Sequence, residues 1–217
     1  MKQLNLNTIR QELDKFDKVI VTGPPRSGTT IATIITANIL NYKFIDESFY
    51  DANDKNKFLW LLSQNRKMVI QMTAFFRDLH NIGPFLTANN TAVVLVKRNI
   101  EAILESFENS KNFTMPAKTS DGLFTMIDEE AQNIIFKHYM FKKEDKRSLP
   151  EKVYDYFYGH MDGFNKHMLF ELHYKDLKKH KLFVKKADRR KHFKHIKQVK
   201  VDDPYYLQNQ ILVLQGE

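Results

Sequence analysis

The chain contains no cysteine. Disulfides, thiolate metal sites and a thiol nucleophile are therefore excluded. Glycine (7) and proline (6) are scarce among 217 residues. No Gly/Ser-rich linker or internal repeat divides the chain. No apolar run approaches the roughly 20 residues that a membrane-spanning helix needs. The opening stretch "MKQLNLNTIRQELDKF" lacks the apolar core of a secretion signal, so a cytoplasmic protein without a transmembrane segment is expected. The hydrophobic fraction of 42% and aromatic fraction of 12% are globular values. The length suits a single domain over residues 1–217.

What the chain has in excess is positive charge. Its net charge is +8, which implies an anionic partner without saying which. The charge is concentrated in "KDLKKHKLFVKKADRRKHFKHIKQVK", residues 175–200, where 12 of 26 positions are Lys or Arg. Phe183, Val184, Phe193 and Ile196 interrupt this run, so it is not a low-complexity tail. It reads either as a solvated helical face or as an anion-binding edge.

Helix and strand signals alternate. Leu6, Ile9, Leu13 and Phe16 recur at helical spacing and predict a short N-terminal helix. "KVIVT" (18–22), "MVIQM" (68–72) and "AVVLV" (92–96) are apolar runs of strand length. The Ile-rich segment 31–40, the cluster Phe58, Leu59, Leu61 and Leu62, and the face formed by Ile100, Ile103, Leu104 and Phe107 read as helices. Two amphipathic stretches follow near 126–143 and 150–168, then a strand signal in "LFELH" (169–173). Continuous apolar strands between helices predict an α/β three-layer domain. Its central parallel sheet is flanked by helices, and its second half is mostly helical.

The most informative stretch is "IVTGPPRSGTT" (20–30), a strand that turns into a helix. Gly23 and Gly28 let the backbone curl around an oxyanion, and N–H groups at a helix start bind anions. Gly23 to Thr30 matches the nucleotide-binding pattern G-x-x-x-x-G-K-[ST], except that Thr29 stands where the lysine belongs. The nearest cation is Arg26.

"PPRSGTT" resembles the 5′-phosphosulfate loop of sulfotransferases that use 3′-phosphoadenosine 5′-phosphosulfate (PAPS). It is closest in motif to the tyrosylprotein and bacterial branch of that P-loop family. The resemblance implies that Pro25, Arg26, Ser27, Gly28, Thr29 and Thr30 hold the donor. "AVVLVKRNIEAILESF" resembles the family's 3′-phosphate segment, with Arg98 at a strand end and Ser106 on the following helix. The family's Lys-Gly-rich C-terminal motif is absent, so either Arg189 and Arg190, in the basic run, cover the 3′-phosphate or that side of the pocket is more open. "LHYKDLKK" (172–179) is similar to a Tyr-Glu-Asp-Leu stretch of the family and is expected to be structural.

The resemblance also implies a catalytic pair, Arg26 and Glu47. Glu47 follows Arg26 by 21 residues, in "YKFIDESFYD", and is the expected general base. Asp46, Asp51 and His80 are the other candidates. Arg26 would stabilise the leaving phosphate oxygen. The implied reaction is in-line sulfuryl transfer from PAPS to a hydroxyl or amine, releasing adenosine 3′,5′-bisphosphate (PAP). The acceptor would be a hydroxylated small molecule, carbohydrate or peptide, and no metal is expected. His180, His192 and His195 have no carboxylate pairing that would make them a metal site. The alternative is a P-loop nucleotide-binding protein or small-molecule kinase with an altered loop. That reading wants an acid for Mg²⁺ at a strand end, whereas the strands end at Thr22, Met72 and Val96-Lys97-Arg98. The basic run also raises nucleic-acid binding, a partner class the resemblance does not imply.

Overall fold

The computed structural model describes residues 1–24, 26–45, 55–72, 83–108, 146, 147, 155, 158 and 166–183. They form an α/β fold built on a six-stranded, wholly parallel sheet. The strands are β1 (Lys2–Leu4), β2 (Lys18–Thr22), β3 (Lys43–Ile45), β4 (Met68–Gln71), β5 (Thr91–Lys97) and β6 (Leu169–His173). They lie in the order β1-β6-β5-β2-β4-β3. The helices are α1 (Ile9–Leu13), α2 (Thr29–Leu40), α3 (Lys55–Ser63), α4 (Gly83–Ala88), α5 (Ile100–Glu108) and α6 (Tyr174–Leu177).

The apolar strand runs form because β2 sits between β4 and β5 and is covered on both faces. All five of its residues are buried. One face carries Val19, Val21, Val69, Val94 and Val96, which share a core with α1, α2 and Tyr174. The opposite face buries Ile20, Ile70, Val93 and Leu95. Right-handed crossovers explain the division. The chain moves one way along the sheet from β1 to β2 to β3, which puts α1 and α2 on one face. It returns from β3 to β4 to β5, which puts α3 and α4 on the other.

Helix α2 is buried nearly all round: nine of its twelve residues are buried, Thr29, Thr33 and Thr36 among them. Its β-branched content gives it modest intrinsic propensity, so packing holds it. Asn41, at φ 58°, ends it in a left-handed cap whose N–H reaches the carbonyls of Ala37 and Asn38.

The N-terminus differs from expectation. The chain opens with strand β1, paired to β6, and the helix is confined to Ile9–Leu13. Only Leu4 of β1 is buried, so a short edge strand left almost no apolar pattern to read. The expected helices 126–143 and 150–168 lie outside the described residues, apart from Asp155, Tyr158 and 166–168.

Candidate functional site

Ligands of open parallel sheets bind beyond the carboxyl ends of the strands, where neighbouring strands send their connections in opposite directions. Here that place lies between β2 and β5. The chain leaves β2 toward β3 and leaves β5 toward β6, on the other side of the sheet. The two emerging segments are Gly23–Gly28 and Arg98–Asn99.

The first segment is a tight loop. Ser27 N–H donates to the Pro24 carbonyl at 2.9 Å. Arg26 has φ 65°, a left-handed conformation uncommon outside glycine. Gly28 caps α2 at φ 97°. The N–H groups of Gly28, Thr29, Thr30 and Ile31 have no intrahelical acceptor, as in any α-helix start. Thr29 is buried and Thr30 half-buried. Ser27 and Thr22 are fully buried, and neither hydroxyl has a hydrogen-bond partner. Two buried hydroxyls left unpaired at one strand-to-helix turn depart from the usual rule that such groups are satisfied.

The second segment reaches back to the first. Arg98 Nη1 donates to the Arg26 carbonyl at 2.7 Å. The Arg98 guanidinium also lies 4.4 Å from the centre of the Tyr174 ring, a cation–π arrangement. Tyr174 in turn packs on the loop: a Cβ built on Gly28 would stand 2.5 Å from its ring carbons. Glycine at position 28 is thus required twice, by its backbone angle and by the ring against it. A Cβ on Gly23 would meet the Val96 carbonyl at 2.8 Å, so β5 presses on the loop from the other side. That carbonyl also accepts a hydrogen bond from Tyr158 Oη at 2.8 Å.

Of the residues the sequence singles out, Arg26, Ser27, Gly28, Thr29, Thr30 and Arg98 are brought together here. Ser106 is half-buried on α5, roughly 9 Å along the helix axis from Ile100 by the rise of an α-helix. Pro25, Glu47, Asp46, Asp51, His80, Arg189, Arg190, His192 and His195 lie outside the described residues. His180 is described, and burial lowers its pKa. Among the described residues no three His, Asp or Glu side chains converge as a metal cage. No described helix is long and apolar enough to cross a membrane.

"LHYKDLKK", expected from the sequence to be structural, also brings Tyr174 against both the loop and Arg98. A second group was not anticipated. Glu171 Oε1 lies 2.5 Å from His173 Nε2, and its Oε2 lies 3.3 Å from Lys97 Nζ. The β5–β6 register places Lys97 opposite His173, and the strand alternation puts Glu171 on the same face. The signal was present as the alternation of polar Glu171 and His173 with Phe170 and Leu172.

Compared with known proteins, the chain matches no family model and no curated relative.

Proposed function

We propose that residues 1–217 form a single three-layer P-loop domain with a helical second half, and that it is a PAPS-dependent sulfotransferase. One observation carries this reading. The three segments that resemble the family, around Arg26, Arg98 and Tyr174, are far apart in sequence and meet at one point of the sheet. Chance matches in three separate segments have no reason to converge at the ligand-binding edge of an α/β sheet.

The local chemistry suits a phosphosulfate. Arg26 and Gly28 are left-handed just before the free N–H groups of α2, a backbone form suited to an oxyanion. The unpaired hydroxyls of Thr22 and Ser27 gain partners if an oxyanion or its water shell settles there. Arg98 offers a planar fork suited to a second phosphate, and Tyr174 fixes its plane. Ser106 extends that phosphate site along α5. Arg189 and Arg190 are the proposed further contacts, and Glu47 the proposed base.

The donor supplies a sulfuryl group already activated by its phosphate leaving group. The chain's part is to hold that phosphate on the loop, to offset charge with Arg26, and to take the acceptor's proton at Glu47. A monophosphate leaving group needs no Mg²⁺ and no triphosphate lysine, which accounts for Thr29 at the lysine position. The strands β2, β4 and β5 end at Thr22, Gln71 and Lys97, none of them an acid, which disfavours the kinase reading. The proposed acceptor is a hydroxylated small molecule, carbohydrate or peptide, and the proposed compartment is the cytoplasm.

The reading is tested by incubating the full chain with radiolabelled PAPS and panels of sugars, phenols and peptides. Transfer to an acceptor, lost in Arg26→Ala, is expected. Label transfer from ATP with Mg²⁺, and none from PAPS, would replace this reading with a kinase.

A further inference from the structure

A cavity of ≈ 290 Å³ opens at the carboxyl ends of β5 and β6, beside Arg98. Its lining includes Lys97, Arg98, His173, Lys175 and Lys178, and among the described residues contains no carboxylate. Lys175 and Lys178 make no ion pair among the described residues. Glu171 lies behind the lining, mostly buried, and holds both Lys97 and His173. Asn99 caps α5 at the rim, its Oδ1 accepting the Ala102 N–H at 3.2 Å, so the start of that helix also opens here.

Cationic side chains gathered around one cavity repel one another, and the repulsion grows as water is displaced. An anion inside relieves it. The volume equals that of about ten waters. This exceeds a bare tetrahedral oxyanion and leaves room for the part of a ligand that carries it. The arrangement differs from a solvated lysine face in one respect: two of its cationic or titratable side chains, Lys97 and His173, are fixed in place by a shared carboxylate.

We infer that this cavity, beside Arg98, is a subsite for a phosphate or sulfate group, built by Lys97, His173, Lys175 and Lys178. These four residues stand on β5, on β6 and on or next to α6, outside the loop around Arg26. The oxyanion belongs either to the nucleotide or to another ligand, and the chemistry is the same.

The test is titration of the full chain with inorganic phosphate, followed by amide NMR. Wild type, Lys175→Gln/Lys178→Gln and Arg26→Ala are compared. Lys175 and Lys178 are exposed, so the double variant keeps the fold. Phosphate is expected to perturb two groups of amides, those of the Gly23–Gly28 loop and those around Lys97 and His173. The double lysine variant weakens the second site by roughly fivefold or more and leaves the first unchanged. Arg26→Ala does the reverse.

Unchanged phosphate affinity at Lys97 and His173 in the double variant overturns the proposal. So does loss of all phosphate binding in Arg26→Ala. Parallel titrations with PAP assign the source. Equal weakening of PAP and phosphate by the double variant makes the group nucleotide-borne, whereas weakening of phosphate alone gives it to another ligand. Failure of PAP to bind the loop, with the second site intact, counts against the sulfotransferase reading and not against the subsite.

Discussion

Gly28 and Arg98 are the two residues on which the site geometry turns. Gly28 sits at φ 97° with the Tyr174 ring where a Cβ would be. Gly28→Ala therefore meets both a backbone penalty and a clash. It should destabilise the fold by more than about 1 kcal/mol, read as a lower denaturant midpoint; an unchanged midpoint would contradict the packing described. Arg98 donates a hydrogen bond to the loop and lies over the Tyr174 ring. Arg98→Ala should weaken PAP binding at least tenfold, as expected for a bond to a charged group of about 1.5–3 kcal/mol. Arg98→Lys keeps the charge but loses the planar fork, and should fall between the two. Calorimetry separates these cases. Thr36 serves as a control away from the loop. Its hydroxyl is buried in α2 without a partner. Thr36→Val keeps the shape and removes the orphan group, and should raise stability by about 1 kcal/mol without changing ligand affinity.

At the scale of elements, β2 carries a charge at one end and the loop at the other. Lys18 opens the strand, is buried, and has its pKa lowered by that burial, with Asp17 opposing the shift. A lowered lysine pKa means that the fold disfavours the ammonium. The cost is full below the lowered value and is relieved as pH rises through it toward 10.5. Lys18→Met should therefore stabilise the protein at neutral pH, by up to about 1 kcal/mol. The gain should shrink as pH climbs toward 10.5, and a gain that grows with pH would contradict the assignment. Tyr42 works in the opposite sense at the same end of the sheet. Its hydroxyl is within 3.0 Å of the Asp14 and Phe16 carbonyls, and burial raises its pKa. The stability it lends is complete below about pH 10 and is lost as pH rises through the raised value.

The long apolar elements were legible in the sequence for a simple reason. β2, β4, β5 and β6 are buried on both faces or pair centrally, so their composition alone marks them. α2 and α5 announce themselves by continuous or periodic apolar residues. The elements that escaped notice are those whose burial is slight or whose length is short. β1 buries only Leu4, β3 spans three residues, and α4 is six residues that bury only Leu86. Site residues followed the same logic. Arg26 and Arg98 belong to segments with a recognisable pattern. The contact of Tyr174 with Gly28 and the Lys97–Glu171–His173 group arise from strand pairing across more than 70 residues, which no local pattern reveals.

At the scale of the whole molecule, the strand order places the loop after β2 and the arginine after β5 in one crevice, and places excess positive charge beside it. Such a charge distribution favours anionic ligands over neutral ones and should make their binding weaken with salt. The central claim is that the crevice binds a nucleotide carrying phosphates at both 5′ and 3′ positions, without metal. Thermal unfolding of the full chain measures this most directly. The ligands are PAP without metal, AMP without metal, and ATP with Mg²⁺. At a hundred times its dissociation constant, PAP should add about 2.7 kcal/mol, AMP much less, and MgATP no more than AMP. Equal stabilisation by AMP and PAP, or stabilisation by MgATP alone, would contradict the account.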